Sequence, residues 1–137
     1  MSRVLVDTNV LIYIKDSSSA FHGSAQNVFN KGDELFLTSK NLTEYYAVVT
    51  KGAKPLLAPS EALLDITEFV SYCTLLYPND ASQQKLSALI LKHKPKGLLI
   101  HDFEIAAIGL ANGVSKIATF NKADFGPISE IEVVNSI

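Results

Sequence analysis

Apolar and polar positions alternate along the chain in two rhythms. Short β-branched or leucine-rich runs over residues 4–6, 35–38, 74–77, 116–119 and 131–134 are bounded by polar or turn-forming residues and predict strands. Between them apolar residues recur every three or four positions, which predicts helices over 10–15, 20–30 and 40–51, from Pro59 through Val70, from about Asp80 to His93, and over 105–112. The expected inner faces carry Phe21, Ala25, Val28 and Phe29, then Leu42, Tyr45, Tyr46 and Val49, then Ala62, Leu63, Ile66, Phe69 and Val70, then Leu86, Leu89, Ile90 and Leu91. Gly52 and Gly113 stand where helix stops belong, and Asp80 is a candidate N-cap. The run 98–100, Leu-Leu-Ile, reads as a further short strand buried on both faces. Residues 120–127 read as a turn-rich loop.

Strands alternating with helices imply a parallel sheet covered on both faces through right-handed crossovers. The helices between the second and third strands exceed simple alternation, so a helical arm is expected there. No internal repeat, low-complexity tract or linker divides the chain, and one domain over 1–137 is the expectation.

Composition narrows the function classes. With 47% hydrophobic and 19% charged residues, the 137-residue chain suits a globular domain with a real core. No apolar stretch approaches the roughly 20 residues needed to span a membrane. The start, Met1-Ser2-Arg3, runs straight into a strand without a charged-then-apolar leader, so a cytoplasmic location with no membrane partner is expected. Cys73 is the only cysteine, which excludes an internal disulfide framework, and its apolar surroundings suit a core residue rather than a nucleophile. A net charge of −2 lacks the basic footprint of a duplex-DNA binder.

The chemistry lies in where the acids fall. Of 14 acidic residues, most lie in turns or on polar helix faces. Asp7, Glu44, Asp102 and Asp124 differ, because each follows the end of an expected strand within a few residues. In a parallel sheet those ends share one edge, where ligands bind. Asp7 is also a candidate cap for the helix that follows it. Crowded carboxylates repel one another and raise each other's pKa, a penalty that a divalent cation removes. The donor set is oxygen-only, and His22, His93 and His101 are scattered, so hard Mg²⁺ or Mn²⁺ is expected over zinc. A carboxylate-held ion of this kind usually serves phosphate chemistry.

Asp7-Thr8-Asn9-Val10-Leu11, then Thr43-Glu44, then His101-Asp102-Phe103-Glu104-Ile105-Ala106-Ala107, then Thr119-Phe120-Asn121-Lys122-Ala123-Asp124-Phe125, occur in this order over nearly the whole chain. In order and spacing the chain resembles the PIN domain family, the fold of the VapC-type ribonuclease toxins. The resemblance implies a three-layer α/β/α sandwich with a mainly parallel central sheet. It implies a metal-dependent endonuclease acting on single-stranded or structured RNA, a cognate antitoxin, and a homodimer. The family's acidic quartet maps onto Asp7, Glu44 and Asp102. Its fourth member falls on Asn121 or Asp124, with Asp124 preferred as the carboxylate on the metal side. Thr8, Asn9 and Thr119 would orient the acids by hydrogen bonds. Lys51, Lys54, Lys92, Lys94, Lys96, His101 and Lys122 are candidates for phosphate contacts. Tyr45 and Tyr46 are candidates for base stacking, with core or dimer packing the competing role.

Two rivals remain. An incomplete quartet on the same fold would give a catalytically silent module that binds RNA or protein. Other Mg²⁺-dependent α/β proteins fit less well: a phosphatase would carry a second carboxylate where Asn9 stands, and a receiver domain needs an acidic pair and a late lysine that are not evident here. Serine chemistry has no support, since no base is placed beside Ser39 or the other serines.

Overall fold

Val4, Leu5 and Val6 are all buried, which requires that their strand be covered on both faces. The computed structural model describes residues 1–134 and meets that requirement with a five-stranded sheet. The last three residues of the expected 1–137 span lie outside the described ones. The strands are β1 (Arg3–Val6), β2 (Glu34–Thr38), β3 (Thr74–Leu76), β4 (Lys116–Ala118) and β5 (Glu132–Val133). Their spatial order is β3-β2-β1-β4-β5, and every neighbouring pair is parallel. Val4 stands opposite Leu35 of β2, and Leu5 opposite Ile117 of β4. The chain therefore adds strands in one direction from β1 to β3, then crosses back to the other side of β1.

Helices cover both faces, as expected for a three-layer α/β/α sandwich. They are α1 (Thr8–Ile14), α2 (His22–Asn30), α3 (Ser39–Thr50), α4 (Pro59–Tyr72), α5 (Asp80–His93), α6 (Ile100–Ala111) and α7 (Lys122–Phe125). Side chains alternate across a strand with a period of two, so each strand feeds two cores. Val4, Val6, Leu35 and Leu37 pack with Val10, Leu11, Tyr45 and Phe69 of α1, α3 and α4. Leu5, Phe36 and Ile117 pack on the other face with Leu89, Phe103, Ile108, Phe125 and Ile128. Cys73 is buried in the first core, where burial pushes its thiol up to about 12, so it is inert. Tyr45 is fully buried, and its hydroxyl donates to Asp65 Oδ2 at 2.6 Å. Lys15 bridges the same Asp65 at 3.6 Å and Glu68 at 3.0 Å, which ties α1 to α4.

Several sequence expectations are corrected. Residues 98–100 form no strand: Gly97–Leu99 is a short 3-10 helix and Ile100 begins α6. Three consecutive apolar residues carry no period of their own, and Leu98 is in fact 83% exposed. The loop over 120–127 contains α7. The N-cap of α5 is Asn79, not Asp80: its side chain accepts from the Ser82 amide at 2.9 Å. The apolar stripes are narrower than expected. Phe21, Tyr46, Leu63, Val70, Ile90 and Leu91 are exposed, because only one or two side chains per turn reach the sheet. The helical arm expected between β2 and β3 is α3 and α4, which pack on each other, and Leu63, Leu64 and Tyr72 of α4 point outward.

Close approach of α6 to the sheet rests on Gly109. A Cβ there would collide with the Leu5 side chain and lie 3.1 Å from the Val114 carbonyl oxygen. Gly109→Ala is expected to destabilise the fold by about 1–3 kcal/mol, despite alanine's better helix propensity. Urea unfolding should show a lowered midpoint with an unchanged slope.

Candidate active site

The Asp7 amide still belongs to the sheet, donating to the Ala118 carbonyl at 3.0 Å. Asp7 is thereby fixed at the carboxyl edge between β1 and β4, where the order of strand addition reverses. Crevices at such switch points take ligands in open α/β sheets. The Asp7 carboxylate is only 5% exposed. Its Oδ1 accepts from the Thr8 amide at 2.8 Å, which caps α1, and its Oδ2 accepts from Thr119 Oγ1 at 2.7 Å. The helix-cap and cleft roles of Asp7 thus coexist in one side chain.

Thr119, Asn9 and Thr8 surround this carboxylate. Thr119 Oγ1 accepts from Asn9 Nδ2 at 3.3 Å and from the Asn121 amide at 2.9 Å. Asn9 Oδ1 accepts from the Phe120 amide at 3.2 Å. Thr8 Oγ1 accepts from Asn41 Nδ2 at 3.0 Å. Asn41 is fully buried and was missed by sequence reasoning. Its signal was present as a capping box: the Asn41 amide donates to Thr38 Oγ1 at 3.2 Å, and Asn41 Oδ1 accepts from the Thr38 amide at 3.1 Å. That box opens α3, and the next turn of α3 presents Glu44.

Asp102 arrives from the first turn of α6 rather than from a strand end. Asp124 lies in α7, and its Oδ2 accepts from Asn121 Nδ2 at 2.6 Å. Asp102 and Asp124 line the same cleft. One open cleft of about 400 Å³ is lined by Asp7, Glu44, Asp102, Asp124, Asn121 and Asn9, together with Thr8, Ile12, Leu98 and Leu99. All four acids singled out in the sequence therefore converge. Ile12, Leu98 and Leu99 are lining residues that the sequence did not suggest.

Convergence has an electrostatic cost. Burial pushes the Asp7 carboxyl up to about 6, against the hydrogen bonds of Thr119 and Thr8, and Glu44 and Asp124 add repulsion. Asp102 is pushed up to about 7, first by burial, then by repulsion from Asp7, Asp124 and Glu44 and by its hydrogen bond to Asp124. The donors are all oxygen, as suits Mg²⁺ or Mn²⁺. Among the described residues, no three acids, histidines or cysteines are gathered into a ready-made metal cluster. A hard cation that keeps several waters and takes only one or two carboxylates directly fits such an open set.

The cationic candidates are dispersed. His101 lines a neighbouring cleft that shares Glu44 with the acidic one. Lys92 is bound to Glu130 Oε2 at 3.0 Å and to Ser129 at 3.2 Å, so its charge is already engaged. Lys51 and Lys94 cap the far ends of α3 and α5, and Lys54 lies in the loop after α3. Lys96 precedes the 3-10 turn that carries Leu98 and Leu99, and Lys122 follows Asn121. None of these lysines lines the acidic cleft. Tyr45 is a core residue bound to Asp65, whereas Tyr46 is 39% exposed. No helix among the described residues is long and apolar enough to cross a membrane.

The sequence profile of the PIN domain family matches residues 4–128. No curated protein sequence is significantly similar to the chain. Among solved structures, VapBC2 of Rickettsia felis, bound to a DNA fragment from its promoter, superposes with a TM-score of 0.75 at 16% identity, covering 98% of this chain and 99% of the other. Mycobacterium tuberculosis VapC20, a sarcin-ricin-loop-cleaving toxin, gives 0.74 at 14% identity over 95% and 98%. DNA-bound VapBC of Salmonella typhimurium gives 0.69 at 23% identity over 96% of each.

Two outcomes are expected. Thr119→Val removes the hydroxyl that satisfies buried Asp7 and should cost about 1–3 kcal/mol in chemical denaturation. The second concerns pH. The folded carboxyls of Asp7 and Asp102 hold protons more tightly than the unfolded ones, whose value is 3.8. Their contribution to stability is fully present below that value and is lost as pH rises through about 6 and 7. Metal-free protein should therefore melt on the order of 5 °C lower at pH 8 than at pH 5. Added Mg²⁺ or Mn²⁺ should raise the melting temperature more at pH 8, as calorimetry at both pH values will show.

Proposed function

Because the chain belongs to the PIN domain family, we propose that it is a divalent-metal-dependent endoribonuclease. It hydrolyses phosphodiester bonds in single-stranded RNA, or in unpaired stretches of structured RNA, and acts as the toxin of a toxin–antitoxin pair. One observation carries this reading: four carboxylates from four separate segments line a single cleft at the sheet's switch point. Asp7, Glu44, Asp102 and Asp124 would hold Mg²⁺ or Mn²⁺. When bound, the ion supplies an activated water and neutralises charge on the phosphate.

The chain's own groups set the stage for that chemistry. Thr119 and the Thr8 amide each occupy one lone pair of Asp7, which fixes the direction of the others. Asn121 donates to Asp124 and would position it as the carboxylate on the metal side. Asp102 and Asp7, whose carboxyls hold protons up to near neutral pH, would hold the ion in their deprotonated form, so affinity is expected to rise with pH through 6–7. His101, Lys96 and Lys122 flank the cleft and would meet RNA phosphates. The cleavage of the sarcin-ricin loop by VapC20 supports an RNA substrate. Solved structures of similar fold that come from toxin–antitoxin systems support an antitoxin partner. Exposed Leu56, Leu63, Leu64 and Tyr72 offer apolar area for that partner or for a homodimer. An RNA substrate and an antitoxin partner fit a cytoplasmic protein.

Purified protein is expected to cleave RNA only with Mg²⁺ or Mn²⁺. Asp7→Asn and Asp102→Asn should each lower the rate by more than about 100-fold, and Asn121→Ala by about 10–100-fold through misplacement of Asp124. Metal-independent cleavage, or full activity in both aspartate variants, sinks the mechanism. RNA binding without cleavage points instead to a silent PIN-fold module. Growth arrest on expression, relieved by a small protein encoded alongside, checks the toxin assignment.

A further inference from the structure

Three aromatic rings meet on segments that adjoin the lining of the acidic cleft, without lining it themselves. Tyr13 of α1, Phe21 at the start of α2 and Phe120 after β4 form a closed triangle, with centroid separations of 5.1, 5.1 and 5.2 Å. Tyr13 and Phe120 rest partly buried on the core, while Phe21 lies outermost and stays 39% exposed. The triangle is joined to the cleft through two elements. Phe120 stands between Thr119, which binds Asp7, and Asn121, which lines the cleft, and its amide donates to Asn9 at 3.2 Å. Tyr13 follows Ile12, another lining residue.

The backbone around Phe21 is fixed by local hydrogen bonds. Ser18 donates to Asp16 Oδ1 through its amide at 3.1 Å and its hydroxyl at 2.6 Å. The Phe21 amide donates to Ser19 Oγ at 3.1 Å, and the Phe21 carbonyl accepts from the Ala25 amide at 2.9 Å. His22 Nδ1 donates to the Tyr13 carbonyl at 2.9 Å, locking the two segments together. These bonds fix the backbone on either side of Phe21, and its ring rests against Tyr13 and Phe120 with over a third of the residue in solvent, so the cluster presents a supported apolar surface. Unpaired nucleobases stack on such surfaces whatever their identity, since each has a π-face.

We propose that the Tyr13–Phe21–Phe120 cluster is a stacking subsite for one unpaired nucleobase flanking the bond to be cleaved. This rests on the nuclease reading of the neighbouring cleft. It gives a physical reason for a single-stranded substrate, because a base within a duplex has no free face to offer.

The sequence contains no tryptophan, so Phe21→Trp installs a single reporter. In an Asp102→Asn background, which prevents turnover, short single-stranded oligoribonucleotides should quench its emission saturably. An abasic oligomer of equal length and charge should not. Phe21→Ala in the same background should weaken binding by about 5- to 150-fold in fluorescence anisotropy. An unchanged Kd in Phe21→Ala, or no quenching by the base-bearing oligomer, overturns the subsite. Cleavage assays separate the two readings. Protein that shows base-dependent quenching but does not cleave in the wild type keeps the subsite and loses the nuclease assignment. Protein that cleaves equally well with Phe21→Ala keeps the nuclease and loses the subsite.

Discussion

A carboxylate buried at the end of the central strand governs this molecule. Removing a charge from water is costly unless its oxygens are matched, and Asp7 is matched from both sides, by the start of α1 and the end of β4. The matching groups need partners of their own, which Asn9, Asn121, Asn41 and Thr38 supply. Among the described residues, the buried polar side chains are Asp7, Thr8, Thr38, Asn41, Thr119 and Ser82, and only Ser82, bonded to Asn79 at the start of α5, lies outside this network. The interior is otherwise apolar, so the polar network is specific to the carboxyl ends of β1, β2 and β4. Structural and chemical demands coincide there: the bonds that make Asp7 tolerable in the fold also aim it.

Much of this was legible in the chain. Short apolar runs ending in small polar residues marked β1, β2 and β4, and the four acids were found because parallel strands put their carboxyl ends together. Asp102 was located correctly for a partly wrong reason, since residues 98–100 lead into a helix rather than out of a strand. A triplet of apolar residues has too few positions to show a period, and the turn at Gly97 leaves Leu98 facing solvent. Asn41 escaped notice because a capping box is a local signal, whereas its bond to Thr8 crosses from one strand end to another. Lys92 looked available because its partner, Glu130, lies far along the sequence. Breadth of the apolar stripes was overread for a related reason: helical spacing tells which residues share a face, not how much of that face another layer covers.

Phe21 illustrates the same limit in reverse. Its spacing suited an inner helical face, yet the serine-rich turn before it begins α2 at His22 and leaves the ring outside, against Tyr13 and Phe120. Local hydrogen bonds overrode hydrophobic spacing. Positions where sequence logic fails in this way are often those shaped by something other than the core.

The sheet divides the interior into two separately packed layers. Asp7 and Glu44 grow from elements seated in one, beside Val10, Leu42 and Tyr45. Asp102 and Asp124 are neighbours of Phe103 and Phe125, which are seated in the other. The gap between the two carboxylate pairs is therefore not a property of either layer. It is a dimension of their joint seating on the sheet, and it responds to repacking on either side even when each layer keeps its own order. Volume changes at core positions such as Phe69 or Ile128, neither of which lines the cleft, can in this way retune the spacing of the acids without altering one residue of the cleft.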